Sequence, residues 1–70
     1  MKYKIGDKVK VRSDLEVGNV YGNIMFTQGM DYLKGKKAYI IATTDKNLYR
    51  ISNDVVGYLL SEEMFEELGI

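Results

Sequence analysis

The chain contains no cysteine, histidine, proline or tryptophan. Without cysteine, neither a disulfide nor a thiolate metal site can support the fold, and this usage fits a reducing compartment. Without histidine, the commonest general base near neutral pH and a usual zinc ligand are both missing. Ser13, Ser52 and Ser61 therefore have no partner for a Ser-His-Asp triad. The expectation is a protein that is not an enzyme and carries no cofactor and no metal. No apolar run approaches the roughly 20 residues of a membrane span. Lys2, Lys4, Lys8 and Lys10 interrupt the apolar stretch that a signal peptide would need. The chain accordingly reads as cytoplasmic and free of the membrane. Net charge is also absent, because ten basic and ten acidic residues cancel. The global field that draws proteins onto nucleic acid is therefore missing.

The charge that is present is segregated. Lys2, Lys4, Lys8, Lys10 and Arg12 crowd the start, and Glu62, Glu63, Glu66 and Glu67 crowd the end. Seventy residues, 46% hydrophobic and 29% charged, describe one globular domain over residues 1–70 rather than a disordered chain.

Strand periodicity dominates. Lys8-Val9-Lys10-Val11-Arg12 alternates strictly, with the valines on one face and the bases on the other. The Gly6-Asp7 pair before it is a turn signal. Lys36 to Thr43 is a second strand, apolar on both faces, as suits a central position. Thr44 to Asn47 is a hairpin loop and Leu48 to Ile51 the returning strand. Val55 to Leu60 is expected as a further strand, with Gly57 at a bulge. Ser61 then caps a short C-terminal helix, with Glu62 and Glu63 at its positive end and Met64, Phe65 and Leu68 on its apolar face. Residues 13–35 form a long excursion punctuated by Gly18-Asn19 and Gly22-Asn23, its apolar residues folding back over the strands. Within it Phe26, Met30 and Leu33 share a helical face, Thr27 standing as cap and Gly35 as terminator. The sum is a mainly β domain of four to five short strands.

Two binding surfaces follow from this layout. Tyr21, Met25, Phe26, Met30 and Tyr58 are candidates for a protein partner, because Tyr and Met suit interfaces and the long loop could present them. Open strand edges could also accept a partner strand or a second copy. Lys8, Lys10 and Arg12, extended by Lys36 and Lys37, are candidates for nucleic acid, with tyrosines on the sheet as stacking surfaces. Lys34-Gly35-Lys36-Lys37 is not a phosphate loop, since it lacks the Walker spacing and leads into a strand.

The run from Ile5 to Arg12, then Lys34-Gly35-Lys36 leading into Tyr39-Ile40-Ile41, then Tyr49-Arg50-Ile51 and the ending Ser61-Glu62-Glu63-Met64-Phe65, resembles small SH3-like proteins of Gram-positive phages and prophages. Where members of that group often carry tryptophan in the last strand, this chain has Tyr58. The resemblance implies an SH3-like barrel of 4–5 antiparallel strands, with a long loop after the first strand and a short C-terminal helix. It also implies a non-catalytic module that binds a host protein, in host takeover or counter-defence. A small barrel binding nucleic acid through its basic first strand is the alternative.

Overall fold

Val9 and Val11 are almost completely buried, and their position organises the rest of the molecule. The computed structural model describes residues 2–66. β1 (Lys8–Val11) is preceded by a turn over Lys4 to Asp7, closed by the Asp7 N–H donating to the Lys4 carbonyl at 3.0 Å. Gly6 stands at the third position of that turn with φ +96°, a backbone that a side chain would resist. β1 pairs on one side with β4 (Lys37–Thr43), setting Lys8 opposite Tyr39, Val9 opposite Ala38 and Lys10 opposite Lys37. On its other side it pairs with β7 (Phe65–Glu66), setting Lys10 opposite Glu66 and Val11 opposite Phe65.

β4 pairs in turn with β5 (Leu48–Ile51), with a bulge between Ile40 and Ala42. β5 pairs with β6 (Leu60–Ser61). The result is a five-stranded antiparallel sheet in the order β6-β5-β4-β1-β7. Its two end strands are consecutive in the chain, separated only by a 3-10 turn over Glu62–Met64. The chain thus bridges the two edges, although no ladder of hydrogen bonds joins β6 to β7 among the described residues and the sheet is not closed.

The excursion after β1 contains a second, two-stranded sheet, β2 (Val20–Tyr21) with β3 (Ile24–Met25). Gly22-Asn23 forms its two-residue loop, Gly22 at φ +63°. A 3-10 segment follows over Gln28–Leu33, with Thr27 at its N-cap position and Gly35, at φ +74°, just beyond its end. Leu15, Phe26, Met30 and Leu33 drop from this excursion into the core and are 2% exposed or less. Burial of a side chain of this size contributes roughly 1.5–3 kcal/mol, which is what ties the excursion to the sheet. At the other side of the core, Tyr3, Tyr49 and Phe65 meet edge to face with centroids 5.5–6.0 Å apart.

Two expected elements are replaced. The stretch Val55 to Leu59 is not a strand, and only Leu60–Ser61 pairs. Its backbone N–H groups at Val56 and Tyr58 donate to the side chain of Asp54 instead of to a neighbouring strand. The C-terminal segment is a 3-10 turn followed by a strand, because Phe65–Glu66 covers the open edge of β1. Leu68 and Gly69, expected on and after a helix, lie outside the described residues.

Candidate functional site

One face of β1, β4 and β5 covers the core, so alternation aims the intervening side chains at solvent. The register brings these into one cluster. Lys8 stands beside Tyr39, Lys10 beside Lys37, and the bulge at Ile41-Ala42 lies opposite Arg50. Tyr39 is 51% and Ile41 48% exposed, although both lie on a strand with neighbours on each side. The face therefore has an apolar centre, Tyr39 and Ile41, within a frame of basic side chains. Glu66 is the acidic residue among them, and it is bridged to Lys10 at 3.1 Å.

Arg50 joins this face to the loop between β5 and β6. Its guanidinium lies over Gly57, where a β-carbon would come within 2.9 Å of Nη2. That loop is built around Asp54. Its Oδ1 accepts from the Val56 N–H at 3.1 Å and from the Tyr32 hydroxyl, and its Oδ2 accepts from the Tyr58 N–H at 2.8 Å. Partial burial pushes the Asp54 carboxyl up, but the donors from Tyr32 and the loop backbone outweigh it and hold the carboxyl below its ordinary value. The same bond to Asp54 raises the Tyr32 hydroxyl. Tyr58 then packs its hydroxyl against Gly29, which leaves no room there for a β-carbon. The loop is thus fastened to the 3-10 segment at two points. Its tip nevertheless holds Val55 and Val56 out into solvent at 93% and 62% exposure.

The five residues expected to meet a protein partner are divided by the structure. Phe26 and Met30 are not presented by a loop. They are core residues at 0% and 2% exposure, because the 3-10 segment turns its apolar face inward. Met25 is 52% exposed on β3. Tyr21 is half-buried, its ring beneath the Arg12 guanidinium and its hydroxyl accepting from the Glu16 N–H at 2.9 Å. Tyr58 is half-buried against Gly29.

The five basic residues are divided as well. Arg12 is held bidentately by Asp14, with both distances 2.9 Å, and its Nη1 donates to the Glu63 carbonyl at 2.9 Å. The hydrogen bonds to Asp14 raise the Arg12 pKa and lower that of Asp14. Lys10 is bridged to Glu66. Lys36 lies over the Tyr32 ring, 5.3 Å from its centroid. Lys8 and Lys37 are exposed and have no ion pair among the described residues.

Arg50, Tyr39, Ile41, Val55 and Val56 were not among the expected site residues. The alternation of Leu48-Tyr49-Arg50-Ile51 carried the signal for Arg50. Tyr39 and Ile41 lie on a strand that is apolar on both faces, a pattern that points to a central position and does not distinguish the exposed face from the covered one. Between the tips of the β2–β3 and β4–β5 hairpins lies a polar cavity of about 180 Å³, bordered by Asn23, Lys46, Asn47 and Glu63. Among the described residues, no group of three or more acidic side chains is gathered as for a metal ion. No helix among them is long and apolar enough to cross a membrane. No family model, curated protein or solved structure matches the chain.

Proposed function

We propose that this chain is a non-catalytic binding module built as an incompletely closed SH3-like barrel. It docks an acidic protein surface on the outer face of β1, β4 and β5. The observation that carries this reading is the half-exposed pair Tyr39 and Ile41, framed by Lys8, Lys37 and Arg50. An apolar centre with a charged rim is the anatomy of a protein interface. Tyrosine and arginine are also the side chains that dominate such interfaces energetically. On the resemblance to phage-encoded barrels, the partner is a host protein.

The same bases argue less well for nucleic acid. Affinity for a polyanion scales with the number of phosphates neutralised. Arg12 and Lys10 already have carboxylate partners, and Glu66 brings a negative charge onto the face. The test compares capture of host proteins by the wild type with capture by Tyr39→Ala and Lys8→Glu/Arg50→Glu. It is run beside a salt titration with a labelled single-stranded oligonucleotide. The expected result is a protein retained by the wild type and lost by both variants, with the oligonucleotide unbound. Tight oligonucleotide binding that collapses with salt, or capture indifferent to both variants, would overturn the reading.

A further inference from the structure

We propose that Val55 and Val56 form a preorganised apolar anchor that enters a pocket on a partner protein. The inference deepens the function proposed above and rests on it for the class of partner. Two facts about the loop meet here. Its backbone is fixed from within, by the Asp54 carboxylate bound to the N–H groups of Val56 and Tyr58 and to the Tyr32 hydroxyl. Yet neither valine side chain takes part in that fixing, and at 93% and 62% exposure neither is packed into the core. Ordering a loop costs conformational entropy whether it happens on folding or on binding. Here it has been met on folding, so docking need not supply it. Valine is also stiff at χ1, so little rotamer freedom remains to be lost.

The chemistry of the surroundings selects the occupant. Arg50 lies over Gly57 beside the tip, while the Asp54 oxygens are occupied by donors within the chain. The tip is therefore apolar with a basic flank, which fits an apolar pocket with an acidic rim. A second copy related by a two-fold axis through the tip would set Arg50 against its own counterpart. The polar cavity at the hairpin tips is no receptor for valine either. A lipid surface is entered by helices rich in Trp, Phe or Leu, not by a two-valine turn.

The experiment places a photo-crosslinking amino acid at position 55, and in a second protein at position 56, of the full chain in the cells where it is naturally made. The adduct is identified, and the purified partner is titrated against the wild type, Val55→Asp, Val56→Asp and Tyr39→Ala. Vesicles of phosphatidylglycerol and phosphatidylethanolamine serve as a parallel probe. We expect one heterologous protein in the adduct, at least a tenfold loss of affinity for each valine variant, and unfolding temperatures unchanged from the wild type. The proposal is overturned if neither position yields an adduct, if the adduct is only a second copy, or if the chain binds the vesicles through Val55. It also fails if the valine variants bind the partner as well as the wild type does. In that last case, a loss confined to Tyr39→Ala would leave the sheet face standing as the interface, so the two readings fail separately.

Discussion

The hydroxyl of the buried Tyr49 donates to Glu62 Oε2 at 2.6 Å. The same carboxylate oxygen accepts from the Lys2 N–H at 3.0 Å, and the Tyr49 hydroxyl accepts from the Tyr3 N–H at 3.4 Å. One pair of side chains thus ties together β5, the turn that bridges the two sheet edges, and the segment before β1. Tyr49→Phe keeps the ring and its contacts with Tyr3 and Phe65 but removes the hydroxyl. The expected loss is about 1–2 kcal/mol, from one hydrogen bond and an acceptor withdrawn from the Tyr3 amide. Urea unfolding of the variant and the wild type measures it. A loss below about 0.3 kcal/mol would show the bond to be incidental.

The same pair sets a pH dependence at both ends. The Tyr49 hydroxyl and the Lys2 N–H hold Glu62 below its ordinary pKa. A depressed carboxyl contributes stability that is present above the unfolded value of about 4.3 and is lost as pH falls through the folded value. Asp54 acts in the same direction. Burial, and then the bond to Glu62, raise the Tyr49 hydroxyl. A raised phenol contributes stability present below about 10 and lost as pH rises through the folded value. The unfolding temperature should therefore be level between about pH 5 and 9 and fall outside that range. Tyr49→Phe should flatten the alkaline fall.

The hairpin between β4 and β5 makes a sharper test of backbone strain. The Asn47 N–H donates to the Thr44 carbonyl at 3.2 Å and the Thr44 N–H to the Leu48 carbonyl at 3.0 Å. This geometry requires a left-handed residue, and Asn47 supplies it at φ +61°. Asn47→Ala should cost about 1 kcal/mol, and Asn47→Gly should be neutral or slightly stabilising. Equal costs for the two, measured by thermal unfolding, would mean that the side chain and not the backbone matters at this site.

These relationships show what the order of residues discloses. β1, β4 and β5 were legible because each alternates over at least four residues and each flanks a turn signal. The hairpin of β2 and β3 carried a signal as well, Gly22-Asn23 between apolar pairs, but two-residue strands are too short for periodicity to register. Val55-Val56-Gly57-Tyr58-Leu59 has strand composition, yet a single carboxylate three residues into the turn captures its amides. Such side-chain competition for the backbone does not appear in a hydrophobicity pattern. Met64 and Phe65 fit a helical face, but Met64 ends a 3-10 turn and the exposed edge of β1 offers Phe65 and Glu66 a ladder, so a tertiary contact prevails over a local one. The site was legible only in part for the same reason. Lys8 and Lys37 lie where alternation sets them, whereas the partners of Lys10 and Arg12 come from the far end of the chain and from a loop.

The contact between Gly29 and Tyr58 can be separated from the general cost of a glycine substitution. A β-carbon at position 29 would collide with the Tyr58 hydroxyl oxygen but would stand 3.4 Å from the ring carbon that carries it. Gly29→Ala should therefore displace Tyr58 and destabilise the fold by about 1–2 kcal/mol, as overpacking does. In a Tyr58→Phe background the obstructing oxygen is gone, so the same substitution should cost less, by at least about 0.5 kcal/mol. Additive costs in this double-mutant cycle would mean that the two residues are not in contact in solution.

Asp54 provides the most direct measure of how the β5–β6 loop is held. Its carboxylate accepts from the amides of Val56 and Tyr58, so those two amides exchange with solvent only when the loop opens. Asp54→Ala removes the acceptor and should raise exchange at Val56 and Tyr58 at least tenfold. The amides of Ile40 and Val11, bonded to the Asp7 and Lys36 carbonyls in the sheet, should remain protected. Tyr32→Phe removes only one of the donors and should produce a smaller increase at the same two positions. Hydrogen exchange followed residue by residue distinguishes this from global destabilisation, which would raise every amide together. If Val56 and Tyr58 exchange freely in the wild type, the loop is not preordered, and the valines at its tip have no rigid support.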